Sequence, residues 1–281
     1  MRLQFRSKAQ VSDKDTADAF ATSWNTLPPG SVYTKRQFED WFSPLTQEDV
    51  AGRSVLELGC GNGSLMAHIV DWRPHKLVGV DLGDSVASAR RNMAATGFAD
   101  YKIIQADLTA FESDGFDLVY CIGVLHHLQN PHAGFESVIR NTKPDGRFHC
   151  WVYAREGNAA VIGLVEPLRR IASKFPWWFT KYALAAPLAG LFYLYAKTVR
   201  LLRNVPGIKI APLYQYSIWI AEREYTFFHH VAFDQLVTPA TVYISQATIR
   251  SWLRTHPRVD PTKTYVSMRN GNSWKFGGTV C

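Results

Sequence analysis

Residues 54–64 read Ser54-Val-Leu-Glu57-Leu-Gly59-Cys60-Gly61-Asn62-Gly63-Ser64. Val55, Leu56 and Leu58 make a short apolar strand, and three alternating glycines follow at its end. Glycine lets the backbone turn sharply and approach a ligand where a Cβ would clash. The spacing is E-x-G-x-G-x-G, with Ser at position 64, so it departs from the G-x-G-x-x-G of dinucleotide folds. An acid on the strand suits a cationic or hydroxyl-bearing ligand better than a pyrophosphate. Eighteen residues beyond Gly63, a second apolar strand ends at Asp81, where a carboxylate can take two ribose hydroxyls. Asp107 follows a third strand in Gln105-Ala-Asp-Leu108.

Outward from this stretch, residues 51–154 alternate strand and helix signals. Strands are expected at Ser54–Leu58, Leu77–Val80, Tyr101–Gln105, Phe116–Cys121 and Arg147–Tyr153, with Lys143-Pro-Asp-Gly146 as a turn before the fifth. Helices are expected at Ser64–Trp72, Ser85–Ala95 and about Pro131–Asn141. Short apolar strands separated by helices argue for a parallel sheet covered on both faces, an α/β, Rossmann-like doubly wound architecture. Before it, residues 1–50 read as two short helices, with Ser12 and Asp15 as a capping pair and Leu27-Pro-Pro-Gly30 as a break. The alternation stops after Tyr153 and resumes with a helical pattern at Gln246–Thr255, then strands at Thr264–Met268 and Ser273–Phe276. The expected organisation is an N-terminal helical cap (1–50), a ligand-binding core (51–154), a helical insertion (155–244) and a C-terminal helix with two last strands (245–281).

These residues in this order resemble the class I S-adenosylmethionine-dependent methyltransferases. LELGCGNG matches that family's first motif, GVDL at 79–82 its second-strand acid, and ADL at 106–108 its adenine site. Phe116-Asp-Leu-Val-Tyr-Cys-Ile-Gly-Val-Leu-His-His-Leu128 resembles the fourth strand and following loop of small-molecule and quinone-type members. Lys143-Pro-Asp-Gly-Arg147 resembles the K-P-G-G turn, with Asp145 in place of the first glycine. The resemblance implies strand order 3-2-1-4-5-7-6 with the last strand antiparallel. It implies S-adenosyl-L-methionine bound by Glu57, Gly59, Cys60, Gly61, Asn62, Gly63, Asp81, Leu82, Asp107, Leu108 and Ile122. No Asn/Asp-Pro-Pro-Tyr/Phe run follows the fourth strand, so methylation of DNA bases loses support. Phe227–Leu236 and Asn272-Ser-Trp274 resemble a bacterial subgroup without a defined acceptor.

The charge is distributed unevenly. The 281 residues carry 31 Lys+Arg and 24 Asp+Glu, a formal +7. From Pro167 to Ala221 there is no acid, but there are eight bases: Arg169, Arg170, Lys174, Lys181, Lys197, Arg200, Arg203 and Lys209. Outside this stretch 23 basic and 24 acidic groups nearly cancel. The same stretch is the most apolar, with fifteen uncharged residues between Lys181 and Lys197. Fifteen residues span about 22 Å of helix, short of a hydrocarbon core of about 30 Å. An interfacial segment, a lid over an apolar pocket, or an ordinary buried helix all suit this length. Upstream, helical spacing puts Val161, Leu164, Val165, Leu168, Ile171 and Phe175 on an inner face, with Arg169, Arg170 and Lys174 on the outer one.

For chemistry, His126 is the candidate general base, with His127 beside it, because the loop leaves the fourth strand on its carboxyl side. A structural role in shaping the loop is the competing reading. Trp24 and Tyr33 are candidates to cover a sulfonium, since aromatic faces attract cations, against plain core packing. His229, His230 and Asp234 form a second cluster, read as loop residues at the acceptor pocket or on an exposed surface. No HExxH or CxxC spacing supports a metal. The four cysteines are scattered and the first twenty residues lack a secretory apolar core, which points to the cytoplasm, with membrane association through residues 160–210. The expected function is methyl transfer to a hydrophobic small-molecule or lipid-like acceptor. A tRNA or rRNA methyltransferase using the basic insertion, and a non-catalytic S-adenosylmethionine-binding protein at a membrane surface, are the alternatives.

Overall fold

A computed structural model describes residues 12–25, 33–238 and 241–281. Seven strands form one sheet in the order β3-β2-β1-β4-β5-β7-β6, as the resemblance implies. They are β1 (Ser54–Leu58), β2 (Lys76–Asp81), β3 (Tyr101–Gln105), β4 (Phe116–Ile122), β5 (Thr142–Tyr153), β6 (Tyr265–Arg269) and β7 (Ser273–Thr279). The first five are parallel, and β7 runs antiparallel to both β5 and β6.

Side chains alternate across this sheet with period two. Leu56, Leu58, Val119 and Phe148 pack on one face beneath α5 (Pro131–Arg140) and α11 (Gln246–Thr255). Val55, Leu77, Leu118 and Tyr120 pack on the other, beneath α2 (Lys35–Phe42), α3 (Ser64–Ile69) and α4 (Val86–Ala95). Because both faces are covered, the central strands β1, β2 and β4 are buried along almost their whole length.

Local signals hold at several helix ends. Ser12 and Asp15 cap α1 (Asp13–Asn25) reciprocally: Asp15 N donates to Ser12 Oγ at 3.1 Å, and Ser12 N donates to Asp15 Oδ2 at 2.8 Å. The expected Leu27–Gly30 break lies outside the described residues. The helix from Ser64 ends at Ile69, and Val70–Trp72 continue as a 3₁₀ turn. Lys143-Pro-Asp-Gly146 differs more: it belongs to β5, as a bulge. The register with β4 jumps from Phe116↔Thr142 to Leu118↔Arg147, and Asp145 has φ +58°. That left-handed conformation is one Asp tolerates better than most residues.

Between β5 and α11 the chain is helical: α6 (Glu166–Ala172), a short turn α7 (Trp177–Phe179), α8 (Ala186–Leu201), α9 (Tyr214–Ile220) and α10 (Tyr225–Val237). Among the described residues, no helix is long and apolar enough to cross a membrane. The expected inner and outer faces of α6 are not the observed ones. Arg169 is buried, whereas Leu164 and Ile171 are 74% and 58% exposed. A π-helical turn over Val161–Val165 precedes α6 and breaks the 3.6-residue period on which the expectation rested. The Arg169 charge is also neutralised locally: Nη1 donates to Glu166 Oε2 at 2.7 Å. Its Nε donates to the Gln235 carbonyl at 2.6 Å and its Nη2 to Gln235 Oε1 at 2.5 Å. Buried charge is tolerated when paired and hydrogen-bonded in this way.

Candidate functional site

A cavity of about 420 Å³ opens at the carboxyl ends of β1, β2, β4 and β5, where doubly wound sheets bind ligands. Its floor is the glycine turn. Gly59 has φ +84°, and a Cβ there would lie 2.3 Å from Val124 Cγ2. Gly61 has φ +51°, and the nearest atom to its Cβ position is Trp24 Nε1 at 3.6 Å. Only glycine fits the first position, and the second leaves room for a ligand against bare backbone.

Three acids surround this floor. Asp81 Oδ2 accepts from Gly61 N and Oδ1 from Gly83 N, both at 2.8 Å, so the second-strand acid fixes the turn's shape. Burial pushes its carboxyl up, while those backbone N–H groups pull it down. Glu57 Oε2 accepts from Tyr120 Oη at 2.8 Å; Oε1 has no partner among the described residues. Burial raises this carboxyl to about 8, the Tyr120 hydroxyl opposes the rise, and the Asp81 charge adds to it. A cationic ligand group beside Glu57 would return it to the carboxylate. Asp107 Oδ1 accepts from Thr109 N and Oγ1 at 2.8 and 2.7 Å, leaving Oδ2 without a partner among the described residues and able to accept from an amino group.

Of the residues expected at the cofactor, Glu57, Gly59, Cys60, Gly61, Asn62, Asp81, Leu82, Asp107, Leu108 and Ile122 line the cavity. Gly63 does not. It caps α3 at φ +76°, and a Cβ there would meet Ala89 Cα at 3.2 Å, so its role is helix packing. Trp24, Tyr33 and His230 also line the cavity; His229 does not, and its Nε2 lies 2.8 Å from the Lys181 carbonyl. Both histidines sit on helix α10, not on a loop.

His126 and His127 separate as well. His127 is on the cavity wall, with Nδ1 3.2 Å from Thr241 Oγ1. His126 is fully buried behind it, its ring 4.0 Å from that of Tyr153, and neither ring nitrogen has a hydrogen bond among the described residues. Burial lowers its pKa well below the usual imidazole value, with the His127 and Arg169 charges adding to the effect. A base must touch the group it deprotonates, and His126 has no access to the cavity. The two rings lie 4.2 Å apart, His127 on the wall and His126 behind it, an order that sequence position alone does not resolve.

An aromatic wall completes the cavity. The rings of Trp24 and Tyr33 meet edge-to-face at 5.3 Å, and those of Tyr33 and Trp41 at 4.6 Å. Trp151 and Tyr153 extend the wall along β5, 5.4 Å apart. Tyr153 Oη accepts from Gln235 Nε2 at 2.9 Å, which links the wall to buried Arg169. Leu188, Ala189 and Phe192 of α8 close the top. The sequence reading missed Trp41, Tyr153, Arg169 and Gln235. Tyr153 could have been found from its place at the carboxyl end of a parallel strand; the other three depend on helix packing.

Among the described residues no group of His, Cys, Asp and Glu is arranged to hold a metal. Two solved structures share the fold over nearly the whole chain. The magnesium protoporphyrin IX methyltransferase of Synechocystis is 14% identical, with TM-score 0.50, covering 98% of this chain and 90% of that one. The N-methyltransferase of Bradyrhizobium japonicum bound to S-adenosyl-L-homocysteine is 11% identical, with TM-score 0.51, covering 94% and 99%. Among curated proteins, the ubiquinone biosynthesis O-methyltransferase of Pseudomonas paraeruginosa is 34% identical over 120 residues, 41% of this chain and 51% of that protein. The chain thus spans about half the length of the curated relatives it matches. A methyltransferase-domain family model matches residues 32–190, more than half of the chain and all of β1 to β5 with the glycine turn and its acids: the chain belongs to the methyltransferase-domain family, with the class I S-adenosylmethionine-dependent fold.

Proposed function

We propose that the protein transfers a methyl group from S-adenosyl-L-methionine to a hydrophobic small-molecule or lipid-like acceptor. The observation that carries this reading is the cavity itself. It joins a bare-glycine floor ringed by Glu57, Asp81 and Asp107 to a roof of aromatic and aliphatic side chains. S-adenosyl-L-methionine supplies an electrophilic methyl on a sulfonium. Asp81 suits its ribose hydroxyls, Asp107 its adenine amino group and Glu57 its ammonium. Trp24 and Tyr33 offer ring faces or edges near the sulfonium. Methyl transfer is an in-line displacement, so the residues' main task is alignment and exclusion of water, worth up to about 7–11 kcal/mol. The quinone-pathway name of the Pseudomonas relative accords with an apolar acceptor.

The outer surface of the insertion supports delivery from a membrane. Leu188 and Phe192 of α8 face the cavity, while Leu191 and Leu194 on its other side are 69% and 64% exposed. Ile171, Trp177, Trp178 and Leu201 are exposed too, within a stretch that has eight cations and no acid. Large apolar side chains exposed in number along one stretch of chain suit an interaction site, and cations in the same stretch favour an anionic lipid surface. The reading is therefore of a protein at the membrane surface, with α8 between bilayer and cavity.

Purified protein and S-adenosyl-L-methionine incubated with a bacterial lipid extract should yield species heavier by about 14 Da per methyl, with none in total RNA. Methylation confined to RNA would replace this reading. Phosphatidylglycerol vesicles should capture the protein and phosphatidylcholine vesicles should not, with Leu191→Asp/Leu194→Asp lowering capture. Equal capture of wild type and the double variant would remove the membrane from the proposal.

A further inference from the structure

Beyond the donor's floor and its apolar roof, the cavity receives a cation from the sheet itself. β7 runs antiparallel to β5 and β6, so the carboxyl end of β6 returns to the edge where doubly wound sheets bind ligands. Arg269 is the last residue of β6. Arg269 and Tyr153 of β5 both pair with Ser273 of β7, which puts their side chains on one face of the sheet, with Trp151 two residues before Tyr153 on that face. Arg269, Trp151 and Tyr153 all line the cavity. We propose that the acceptor is a hydrophobic carboxylic acid and that Arg269 selects it by holding its carboxylate beside Trp41 and Trp151. The inference rests on the methyl-transfer reading above and names the charge of its acceptor.

Three observations carry it. The first is donor capacity. Arg269 Nε donates to Asp40 Oδ2 at 2.8 Å, and Nη2 donates to the same oxygen. Nη1 has no hydrogen bond among the described residues, although a guanidinium carries N–H donors on all three nitrogens. Arg169 differs, since Nε, Nη1 and Nη2 each donate to Gln235 or Glu166. The Arg269 side chain is only 5% exposed, so bulk water offers Nη1 little. The second is the setting. The guanidinium carbon lies 4.7, 5.8 and 5.9 Å from the ring centres of Trp219, Trp41 and Trp151, and all three rings line the cavity. The rings of Trp41 and Trp151 are 5.9 Å apart, and the Nε1–H group of each is buried without a partner among the described residues. An indole N–H can only donate and a carboxylate can only accept, and a buried donor left unpaired is costly.

The third is charge. Among the described residues Arg269 pairs with no acid but Asp40, and Lys275 Nζ donates to the Asp40 carbonyl at 2.8 Å. Burial lowers the Lys275 ammonium pKa, Asp40 opposes the fall and the Arg269 charge adds to it. Arg223 stacks on Trp219 at 5.4 Å, and Glu222 lies 2.8 Å from Arg36 and 3.9 Å from Arg200. Asp40 and Glu222 thus face a larger number of cations at this corner. Asp234 of the cavity wall lies beside His230, at 3.2 Å. One open end of a guanidinium already facing Asp40 suits a monoanion better than a phosphate dianion.

Placement assigns this corner to the acceptor and not to the donor. The glycine floor ends β1, and Asp81 and Asp107 lie beyond it on the β2 and β3 side. Trp151 is on β5, two strand positions the other way, about 10 Å along the sheet, and Arg269 comes from β6, two positions further still. Phe192 of α8 and Phe228 of α10 line the same cavity and offer an apolar enclosure for the acid's body.

The test compares octanoate with 1-octanol by calorimetry at neutral pH, on the full chain saturated with S-adenosyl-L-homocysteine. Wild type should bind octanoate about tenfold or more tightly than the alcohol, as charge-assisted hydrogen bonds provide. Arg269→Met should remove that preference and leave 1-octanol affinity unchanged. Asp40→Asn frees the guanidinium of its carboxylate and should widen the preference, a gain that a damaged fold does not produce. Absence of a preference in wild type overturns the proposal, as does a preference kept in Arg269→Met. Should Arg269→Met fail to fold by its melting temperature, Asp40→Asn decides, and an unchanged preference there overturns the proposal. An Arg269→Met protein that loses S-adenosyl-L-homocysteine affinity but keeps the octanoate preference assigns the subsite to the donor's own carboxylate and overturns it too. Failure of wild type to bind S-adenosyl-L-homocysteine, or to bind either probe with that site filled, refutes the parent reading and this one with it.

Discussion

Replacing Glu57 with Gln should remove a loss of stability that the ligand-free protein undergoes between pH 6.5 and 8. Glu57 is buried and its carboxyl sits at about 8 in the folded protein, against 4.5 for an ordinary glutamate. The folded state therefore holds a proton that the unfolded state has released. Stability is fully present below 4.5 and is lost as pH rises toward 8. Buried imidazoles act in the opposite sense at lower pH. Burial holds His126 well below 6.5 and takes His149 down to about 4, so protonating them penalises the fold as pH falls below 6.5. At pH 6.5 each is still half protonated in the unfolded state and neutral in the folded one, so the two oppose the Glu57 trend equally in wild type and in Glu57→Gln, and the difference between the two proteins isolates Glu57. Across the 1.5 pH units from 6.5 to 8, at about 1.4 kcal/mol per unit and half that slope at the folded pKa, the part lost through Glu57 is about 1.6 kcal/mol. For a domain of this size that is a difference of about 3–6 °C in melting temperature between the two proteins' pH responses. Scanning calorimetry of wild type and Glu57→Gln at pH 6.5, 7 and 8 measures it directly. The amide can still accept from Tyr120 but cannot titrate, so the fall that Glu57 causes should be absent from the variant. Equal slopes in both proteins would mean that Glu57 is already ionised in the folded state, and would refute the reasoning. Donor binding should show the same linkage: an ammonium beside Glu57 should release a proton, which is visible as a buffer-dependent enthalpy.

Other perturbations follow from the site's geometry. Asp81→Ala removes the acceptor of both the Gly61 and Gly83 N–H groups, and should abolish calorimetric binding of S-adenosyl-L-homocysteine. Gly59→Ala puts a Cβ into Val124 at a left-handed φ; a destabilisation of about 1–3 kcal/mol in urea melts is expected, with loss of donor binding. Arg169→Ala leaves Glu166 and the Gln235 amide without the guanidinium, and should cost about 3–5 kcal/mol as a broken buried pair. Arg170→Ala, at an exposed neighbour, should change stability by less than about 0.5 kcal/mol in the same melts.

The strands, the glycine turn and the acids at 57, 81 and 107 were legible from sequence because their causes are local, whereas the strand order came from the resemblance to a known family. An apolar run ending in glycines dictates a strand and a turn, and an acid at the end of the next strand must lie beside that turn in a parallel sheet. The sequence also located the charge in one apolar stretch. It misjudged that stretch's orientation. Helical periodicity assumes an unbroken α-helix, and the π-helical turn at Val161–Val165 rotates the faces. Hydropathy cannot foresee that Arg169 becomes buried once Glu166 and Gln235 satisfy it.

The histidines divide the same way. The sequence identifies residues 126, 127, 229 and 230 as adjacent pairs and says nothing of which ring enters the cavity. A one-residue step along a 3₁₀ turn or a helix turns a side chain by about 100–120°, so each pair splits. His127 and His230 line the cavity, while His126 is sealed behind the wall and His229 caps the Lys181 carbonyl. What the sequence alone determined is the sheet and the ligand floor at its carboxyl edge, since strand pattern and turn chemistry are properties of neighbouring residues. Only the tertiary structure decided which distant helices roof that floor, and so which of the chain's ionisable groups share a cavity with it, because that depends on packing between segments as far apart as residues 24, 61 and 230.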